Sequence, residues 1–233
     1  MIAWGGDGTI NEVASILAFG NVPLGIVPAG SGNGLARQLS ISRTAADAVR
    51  QAIAAVPRRI DVGEMGERLF VNVAGIGFDA HVAWKFNDAG TRRRGLATYA
   101  SVAGRAMLSY ESATYTIRIA GDEPCAPVRA ALVTVANSAE FGNGAIIAPG
   151  ARVDDGLLDL VVMEERSRMR TIVQIPRLFQ GTIDRARGCS VRRIRTATID
   201  SDQPMKYHVD GEPVLGGTSL LVRVHPGALY VAV

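Results

Sequence analysis

The chain has 233 residues, 48% apolar and 20% charged, and 25 basic against 22 acidic residues leave a net charge of +3. That composition supports a real hydrophobic core and excludes a disordered or low-complexity chain, and no apolar run approaches the roughly 18 residues of a membrane-spanning helix. Cys125 and Cys189 make no disulfide framework and the start, with Asp7 and Glu12, does not read as a signal peptide, so a cytoplasmic protein with two ordinary thiols is expected.

Ile2-Ala3-Trp4 reads as a short strand that runs into the turn Gly5-Gly6-Asp7-Gly8-Thr9. The spacing of Ile10, Val13, Ile16 and Leu17 predicts a helix over 10–19. Leu24–Pro28 is a second buried strand; Gly30–Gly34 then leads into a helix over 35–40. Thr44 caps a third helix, over 44–56, which Pro57 stops. Such alternation predicts a parallel α/β layer with right-handed crossovers.

From residue 58 the pattern changes. Strands are predicted at 58–64, 69–75, 113–120, 128–136, 157–163, 190–200, 206–210, 218–225 and 228–233, with helices at 77–88, 95–109 and near 168–181. The expected architecture is a partial parallel α/β lobe over 1–58, packed closely on a mainly antiparallel β-sandwich lobe over 59–233.

Both glycine-rich loops sit between a strand and a helix. Glycine lets the backbone approach an anion, and the free amides and dipole of the following helix attract phosphate. Adjacent parallel strands put both loops at one carboxyl edge of the sheet, where a nucleotide polyphosphate is the natural occupant. Asp7, a carboxylate beside phosphates, points to a bound divalent cation or a proton to be moved. Thr9 can cap the helix and bond a phosphate oxygen. Neither a Walker A loop nor a GxGxxG fingerprint is present.

Two acidic elements lie downstream. Asp210-Gly211-Glu212 suits a general base supported by a second acid or a metal, and it equally suits a plain hairpin turn. The run Asp154–Asp159 is an acidic turn that can hold Mg²⁺ through Asp155 and nearby carbonyls. His81, His208 and His225 are too scattered for a zinc site and read as structural. All basic residues but Lys85 and Lys206 are arginine, and several cluster at 92–94, 166–170 and 185–195. They suit an anionic membrane face or a nucleic acid, or simply a solvated surface.

GGDGTINEVA (5–14), PAGSGNGLAR (28–37) and VDGEP (209–213) together resemble the diacylglycerol kinase/sphingosine kinase family of lipid kinases. VNVAGIGFDA (71–80), DDGLLDL (154–160) and VHPGALYV (224–231) extend the resemblance over essentially the whole chain. GGDGT alone is shared with NAD kinases and phosphofructokinases; the three motifs in order are far more specific.

The resemblance implies a Mg²⁺- and ATP-dependent kinase that phosphorylates a lipid hydroxyl in a cleft between the lobes. By matching position, Gly5, Gly6, Asp7, Gly8, Thr9, Ile10, Asn11 and Ser31 would hold ATP. Glu212 would be the general base with Asp210 beside it, and Asp7 is the competing base. The carbonyls of Arg152 and Leu157 with the Asp155 side chain would hold a structural Mg²⁺, and Asp79 is a candidate for the lipid headgroup. The implied partners are the lipid substrate and, transiently, an anionic membrane surface; no nucleic acid is expected, and a homodimer is left open.

Two departures stand out. Asn33-Gly34 replaces the Asn-Asp of many members, which leaves the lipid undefined. Two βα units normally precede GGDGT, roughly 60 residues at about 30 per unit, so an N-terminally truncated member is expected. The alternatives are a kinase of a soluble substrate such as NAD, and an inactive fragment or non-catalytic nucleotide- or lipid-binding module.

Overall fold

Two strands, β1 (Ile2–Gly5) and β2 (Gly25–Pro28), pair in parallel with Ile2 opposite Gly25 and Gly5 opposite Pro28. A computed structural model describes them within residues 1–88, 106, 110–123, 126–142, 144–165 and 173–233. Helix α1 (Asp7–Leu17) crosses between them and buries Ile10, Asn11, Ala14 and Leu17 on one face. It begins three residues before the predicted start. Gly6 is its N-cap and Thr9 lies inside its first turn, so Thr9 does not cap it. Asp7 opens the helix, where a carboxylate meets the positive end of the dipole.

Helix α2 (Gly34–Gln38) starts from Asn33, which is left-handed at φ 56°. Helix α3 (Ala45–Ala54) has Thr44 at its N-cap, although the threonine side chain makes no capping bond. Its end at Ala54 precedes Pro57. A Cβ on Gly25 would stand 2.7 Å from that of Ala52, so the missing side chain lets α3 lie directly on β2.

The second lobe is one large antiparallel sheet, of eleven strands among the described residues. Its strands are β3 (Arg58–Met65), β4 (Arg68–Phe70), β5 (Val73–Gly77), β6 (Ala113–Ile119), β7 (Val128–Ala136), β10 (Leu158–Glu164), β11 (Cys189–Ile194), β12 (Thr196–Ser201), β13 (Lys206–Val209), β14 (Glu212–Leu215) and β15 (Ser219–Val231). The order along the main path is β14-β13-β5-β7-β6-β12-β15-β3-β4, and β10 joins β7 to β11. A short hairpin, β8 (Glu140–Gly142) with β9 (Ala145–Ile146), pairs outside this sheet; helix α4 (Phe78–Asp88) packs against β5 and β13, and α5 (Ile175–Gln180) against β9. Alternation along the strands closes one face over a core of Met65, Phe70, Ile76, Tyr115, Val133, Leu158, Ile199, Tyr207 and Leu220.

Several predicted strands differ in extent. The run 69–75 divides into β4 and β5, because the amides of Val71 and Asn72 turn out of the ladder to meet Asp210. The run 190–200 divides at Arg195: β11 pairs with β10, whereas β12 pairs with β6 and β15. The last two runs merge into β15, whose register shifts between His225 and Leu229, with Gly227 at φ 60°. β8, β9 and β14 were not predicted, being too short for a periodic signal. Most of the predicted helix over 95–109 lies outside the described residues, as do Arg92–Arg94, the arginines of 166–170 and Cys125; the helix predicted near 168–181 is described only as α5.

The lobes are sewn together at the chain's end. Leu24 donates its N–H to the Tyr230 carbonyl at 2.9 Å and accepts from the Ala232 N–H at 2.9 Å. Leu229 and Val231 thereby enter the core of the first lobe with Leu24, Ile26 and Leu35. Asp61, buried on β3, adds a second stitch. Its carboxylate accepts the N–H groups of Gly156 at 2.6 Å and Gly227 at 2.8 Å, and so draws the 150s turn onto the β15 bulge. None of the described helices is long and apolar enough to cross a membrane.

Candidate active site

The two glycine loops touch backbone to backbone. A Cβ on Gly30 would stand 2.6 Å from the Gly6 Cα, and one on Gly6 would stand 3.1 Å from the Gly30 Cα. Glycine at 30 is required for this approach, and glycine at 6 keeps it free of a tight contact. The Ala29 N–H also bonds the Gly5 carbonyl at 2.9 Å. Asn33 folds back on its own loop, accepting the Gly30 N–H at 2.9 Å and donating to the Gly30 carbonyl at 2.7 Å.

Asp7 locks the pair. One carboxylate oxygen accepts the Asn33 N–H at 2.7 Å and the other accepts the Gly34 N–H at 2.7 Å. A carboxylate has about four acceptor sites, so each oxygen keeps capacity for a cation or a ligand donor. Gly8 and Thr9 are exposed beside it, and a Cβ on Gly8 would meet nothing within 4 Å, so the first turn of α1 faces open space. The first amides of a helix have no intrahelical partner, which suits this surface to phosphate.

The other predicted nucleotide residues divide. Ser31 is exposed on the second loop. Ile10 is 4% exposed and its N–H is spent on the Gly6 carbonyl, so its side chain belongs to the core rather than to the loop surface. Asn11 is buried too, donating to the Leu69 carbonyl at 3.4 Å while its Oδ1 has no hydrogen-bond partner among the described residues.

From the second lobe comes the β13–β14 hairpin. Val209 pairs with Glu212, and the two residues between them, Asp210 at φ 48° and Gly211 at φ 86°, are both left-handed, as a type I′ turn requires. Asp210 is more than a turn residue. Its carboxylate accepts three successive N–H groups, from Val71 at 2.8 Å, Asn72 at 2.9 Å and Val73 at 2.8 Å. Burial nevertheless pushes its carboxyl up to about 6; the three amides pull the other way, and the charge of Asp7 adds to the rise. Asp7 and Asp210 therefore face one another electrostatically across the lobes. Glu212, two residues on, is exposed, and its side chain makes no hydrogen bond or ion pair among the described residues.

Asn72, unremarked in the sequence, connects these parts. Its N–H binds Asp210, its Oδ1 accepts the Ser138 hydroxyl at 2.9 Å, and a Cβ on Gly34 would stand 3.4 Å from that same oxygen. Arg37 on α2 pairs with Glu140 on β8 at 2.5 Å and fixes the second loop's helix to the hairpin. Asn137, wholly buried, donates to the carbonyls of Asp61 and Val71 at 2.9 Å. A polar residue inside an apolar run was the only sequence signal for Asn72 and Asn137.

The predicted metal turn is arranged differently. Asp155 gives one carboxylate oxygen to the Arg193 guanidinium and the other to the Leu157 N–H at 3.1 Å. Arg152 is exposed and pairs with Asp154 at 3.3 Å. Arg193 lies opposite Asp159, whose carboxyl burial pushes up and Arg193 pulls back down. A guanidinium thus stands beside the carboxylate where a cation would bind. No group of three or more His, Cys, Asp or Glu side chains among the described residues could hold a metal ion. The expected Mg²⁺ turn thus offers Asp155 as its one side-chain ligand, with one oxygen on Arg193, and the backbone carbonyls of Arg152 and Leu157 as its remaining groups.

Asp79, the predicted headgroup residue, is 7% exposed in the first turn of α4. It accepts the Thr134 hydroxyl at 2.8 Å and the Ala80 N–H at 2.8 Å, and faces His208 Nε2 at 3.5 Å. Its charge also helps burial to hold the Tyr110 and Tyr115 hydroxyls above their usual range, Tyr115 at about 12.

Known proteins resemble this chain in sequence and in fold. Residues 1–65 match the diacylglycerol kinase catalytic domain, and residues 72–233 match the YegS C-terminal NAD kinase beta sandwich-like domain. A protein of Pseudomonas aeruginosa named "Probable lipid kinase YegS-like" is 32% identical over 241 residues, spanning 99% of this chain and 75% of that protein. One of the same name from Chromohalobacter salexigens is 29% identical over 236 residues, spanning 100% and 75%. The crystal structure of a diacylglycerol kinase from Bacillus anthracis superposes with a TM-score of 0.72 at 18% identity, over 99% of this chain and 75% of that one. An NAD kinase from Archaeoglobus fulgidus in complex with ATP superposes at 0.56 with 12% identity, over 100% and 76%, and shares the two-lobe fold. With both domains matched in order and the two glycine loops meeting at Asp7, the chain belongs to the YegS-like lipid kinases, a phosphotransferase family built on a diacylglycerol kinase catalytic domain.

Proposed function

We infer that the chain transfers the γ-phosphate of ATP to the hydroxyl of a lipid of the diacylglycerol or sphingoid-base class. The observation that carries this reading is the Asp7 carboxylate, which ties both glycine loops together and lies within electrostatic reach of Asp210 from the other lobe. Phosphoryl transfer is mostly positioning and charge neutralisation, so backbone cradles, a carboxylate and one base suffice. In this reading the loops within residues 1–58 carry the nucleotide, and the lobe of 59–233 carries the lipid.

ATP with Mg²⁺ supplies the phosphoryl group and offsets the charge on its oxygens. The chain's own groups do the rest. The backbone of Gly5, Gly6, Gly8 and Thr9 and the Ser31 hydroxyl bind phosphate oxygens, and Asp7 orients the two loops and keeps acceptor capacity for the cation. Glu212 takes the proton of the lipid hydroxyl as its oxygen attacks phosphorus, and ADP leaves. Glu212 is favoured over Asp7 as base because it is exposed and unbonded, whereas both Asp7 oxygens already accept an N–H.

Transient contact with an anionic bilayer belongs to the same reading. Arg118, Arg129, Arg192, Arg193 and Arg223 are taken up in ion pairs with acidic neighbours, and Arg185, Arg187 and Arg195 are exposed cations outside those pairs. The test is incubation with labelled ATP, Mg²⁺ and a panel of diacylglycerol, sphingoid base and NAD. Label in a lipid supports the reading; label in NAD alone, or in none of the three, overturns it.

A further inference from the structure

We propose that the buried His208, which faces Asp79 and accepts the Gly211 N–H, is a positioning residue that fixes the turn carrying Glu212. The inference rests on the reading that Glu212 acts on the lipid hydroxyl, and it adds how that side chain is aimed.

His208 is 0% exposed on β13, two residues before the turn. Its Nδ1 accepts the Gly211 N–H at 3.3 Å, so in the neutral ring the proton sits on Nε2. That nitrogen faces Asp79 Oδ2 at 3.5 Å. Asp79 is itself held at both oxygens, by the Thr134 hydroxyl and the Ala80 N–H. The chain of contacts therefore runs from α4 and β7, through a buried imidazole, to the backbone of the residue next to Glu212.

A plain type I′ hairpin has no need of this. Two left-handed residues suffice to close it, and the Gly211 N–H would ordinarily face water. Here Asp210 anchors one side of the turn to the amides of Val71, Asn72 and Val73, and His208 anchors the other through Gly211. A turn held on both sides fixes the backbone from which the Glu212 side chain projects.

The strand beneath is cut to admit the pair. Gly75 on β5 lies opposite His208. A Cβ there would stand 2.0 Å from Asp79 Oδ2 and 3.0 Å from His208 Nε2. Only the absence of a side chain at 75 lets carboxylate and imidazole meet inside the sheet.

The experiment has an arm that needs no enzymatic activity. In ¹⁵N-labelled protein, His208 Nδ1 should resonate as an unprotonated acceptor and Nε2 as N–H, and the Gly211 amide should exchange slowly. His208→Leu fills the space without an acceptor and should abolish Gly211 protection. His208→Asn restores an acceptor near the Nδ1 position and should recover it. In the lipid assay, His208→Leu should lower kcat about a hundredfold with the KM for ATP unchanged, and His208→Asn should regain most of that loss. A protonated Nδ1 or unchanged Gly211 exchange in His208→Leu would overturn the proposal. So would wild-type kcat in that variant. If His208→Leu does not fold, the wild-type tautomer and Gly211 exchange decide alone. If the unaltered protein labels no lipid, the functional reading fails separately, and the nitrogen and amide measurements still judge the anchoring.

Discussion

Asp7 and Asn33 meet at 2.7 Å, carboxylate to backbone N–H, and the same carboxylate takes the Gly34 N–H at 2.7 Å on its other oxygen. The second glycine loop is therefore held by the side chain of the first. Asp7→Asn replaces one accepting oxygen with an NH₂ group, which sets donor against donor at Asn33 or Gly34. Leaving a part-buried N–H without its acceptor costs about 1–3 kcal/mol. The variant should melt lower than the unaltered protein and bind ATP more weakly, measured by thermal denaturation and calorimetric titration. Wild-type melting and ATP affinity together would show that Asp7 does not latch the loops.

Glu212 is exposed at the start of β14, and its side chain has no partner among the described residues. Glu212→Gln keeps shape and removes basicity. Turnover of lipid should fall roughly 10²- to 10⁴-fold, the usual worth of a positioned base. ATP affinity and melting temperature should stay as they were. Full turnover in Glu212→Gln would transfer the base to Asp7.

Asp210 gives a pH signature with an unusual sign. Its carboxyl is held at about 6 in the fold against an ordinary 3.8, because burial outweighs three amide donors. Between those values the folded chain binds more protons than the unfolded one. This group's contribution to stability is thus complete below its unfolded value and is lost as pH rises through the folded one. Asp210→Asn has no such titration and sets its NH₂ against one of the three N–H groups, at a cost of about 1–3 kcal/mol. The stability gap between the two proteins should be widest near pH 4 and narrow toward about pH 7. Denaturant midpoints across that range check it, and a gap that widens with pH would contradict burial as the dominant influence on Asp210.

What the sequence made visible and what it hid follow from the range of the interactions. Gly5–Thr9 and Gly30–Gly34 stood out because glycine punctuates an apolar strand before a helix, and Asp210-Gly211 because a type I′ turn asks for those residue types. Those signals are local. Asp7's real partners lie in the other loop, Asp210's at Val71–Val73, and Asp61's at Gly156 and Gly227, all far off in the chain. Nothing around His208 announced Asp79 or Gly75, since the pair exists only where β5 and β13 lie side by side. The same distance hid Arg193, which reaches the Asp155 carboxylate from the neighbouring strand. The division of 69–75 has this origin too: Val71 and Asn72 look like strand until Asp210 claims their amides.

Gly8 separates stability from function. It lies in the first turn of α1 with nothing within 4 Å of where a Cβ would stand. Alanine there adds no clash and removes the conformational cost of a helical glycine, so Gly8→Ala should stabilise the fold by about 0.5–1 kcal/mol. The new methyl would project into the space over the α1 amides, where phosphate is expected to lie. ATP binding should therefore weaken even as the melting temperature rises. Opposite signs in calorimetric titration and thermal melting mark a surface kept bare for a ligand. If affinity and stability rise together, Gly8 is only a flexible link, and the nucleotide lies elsewhere along the cleft.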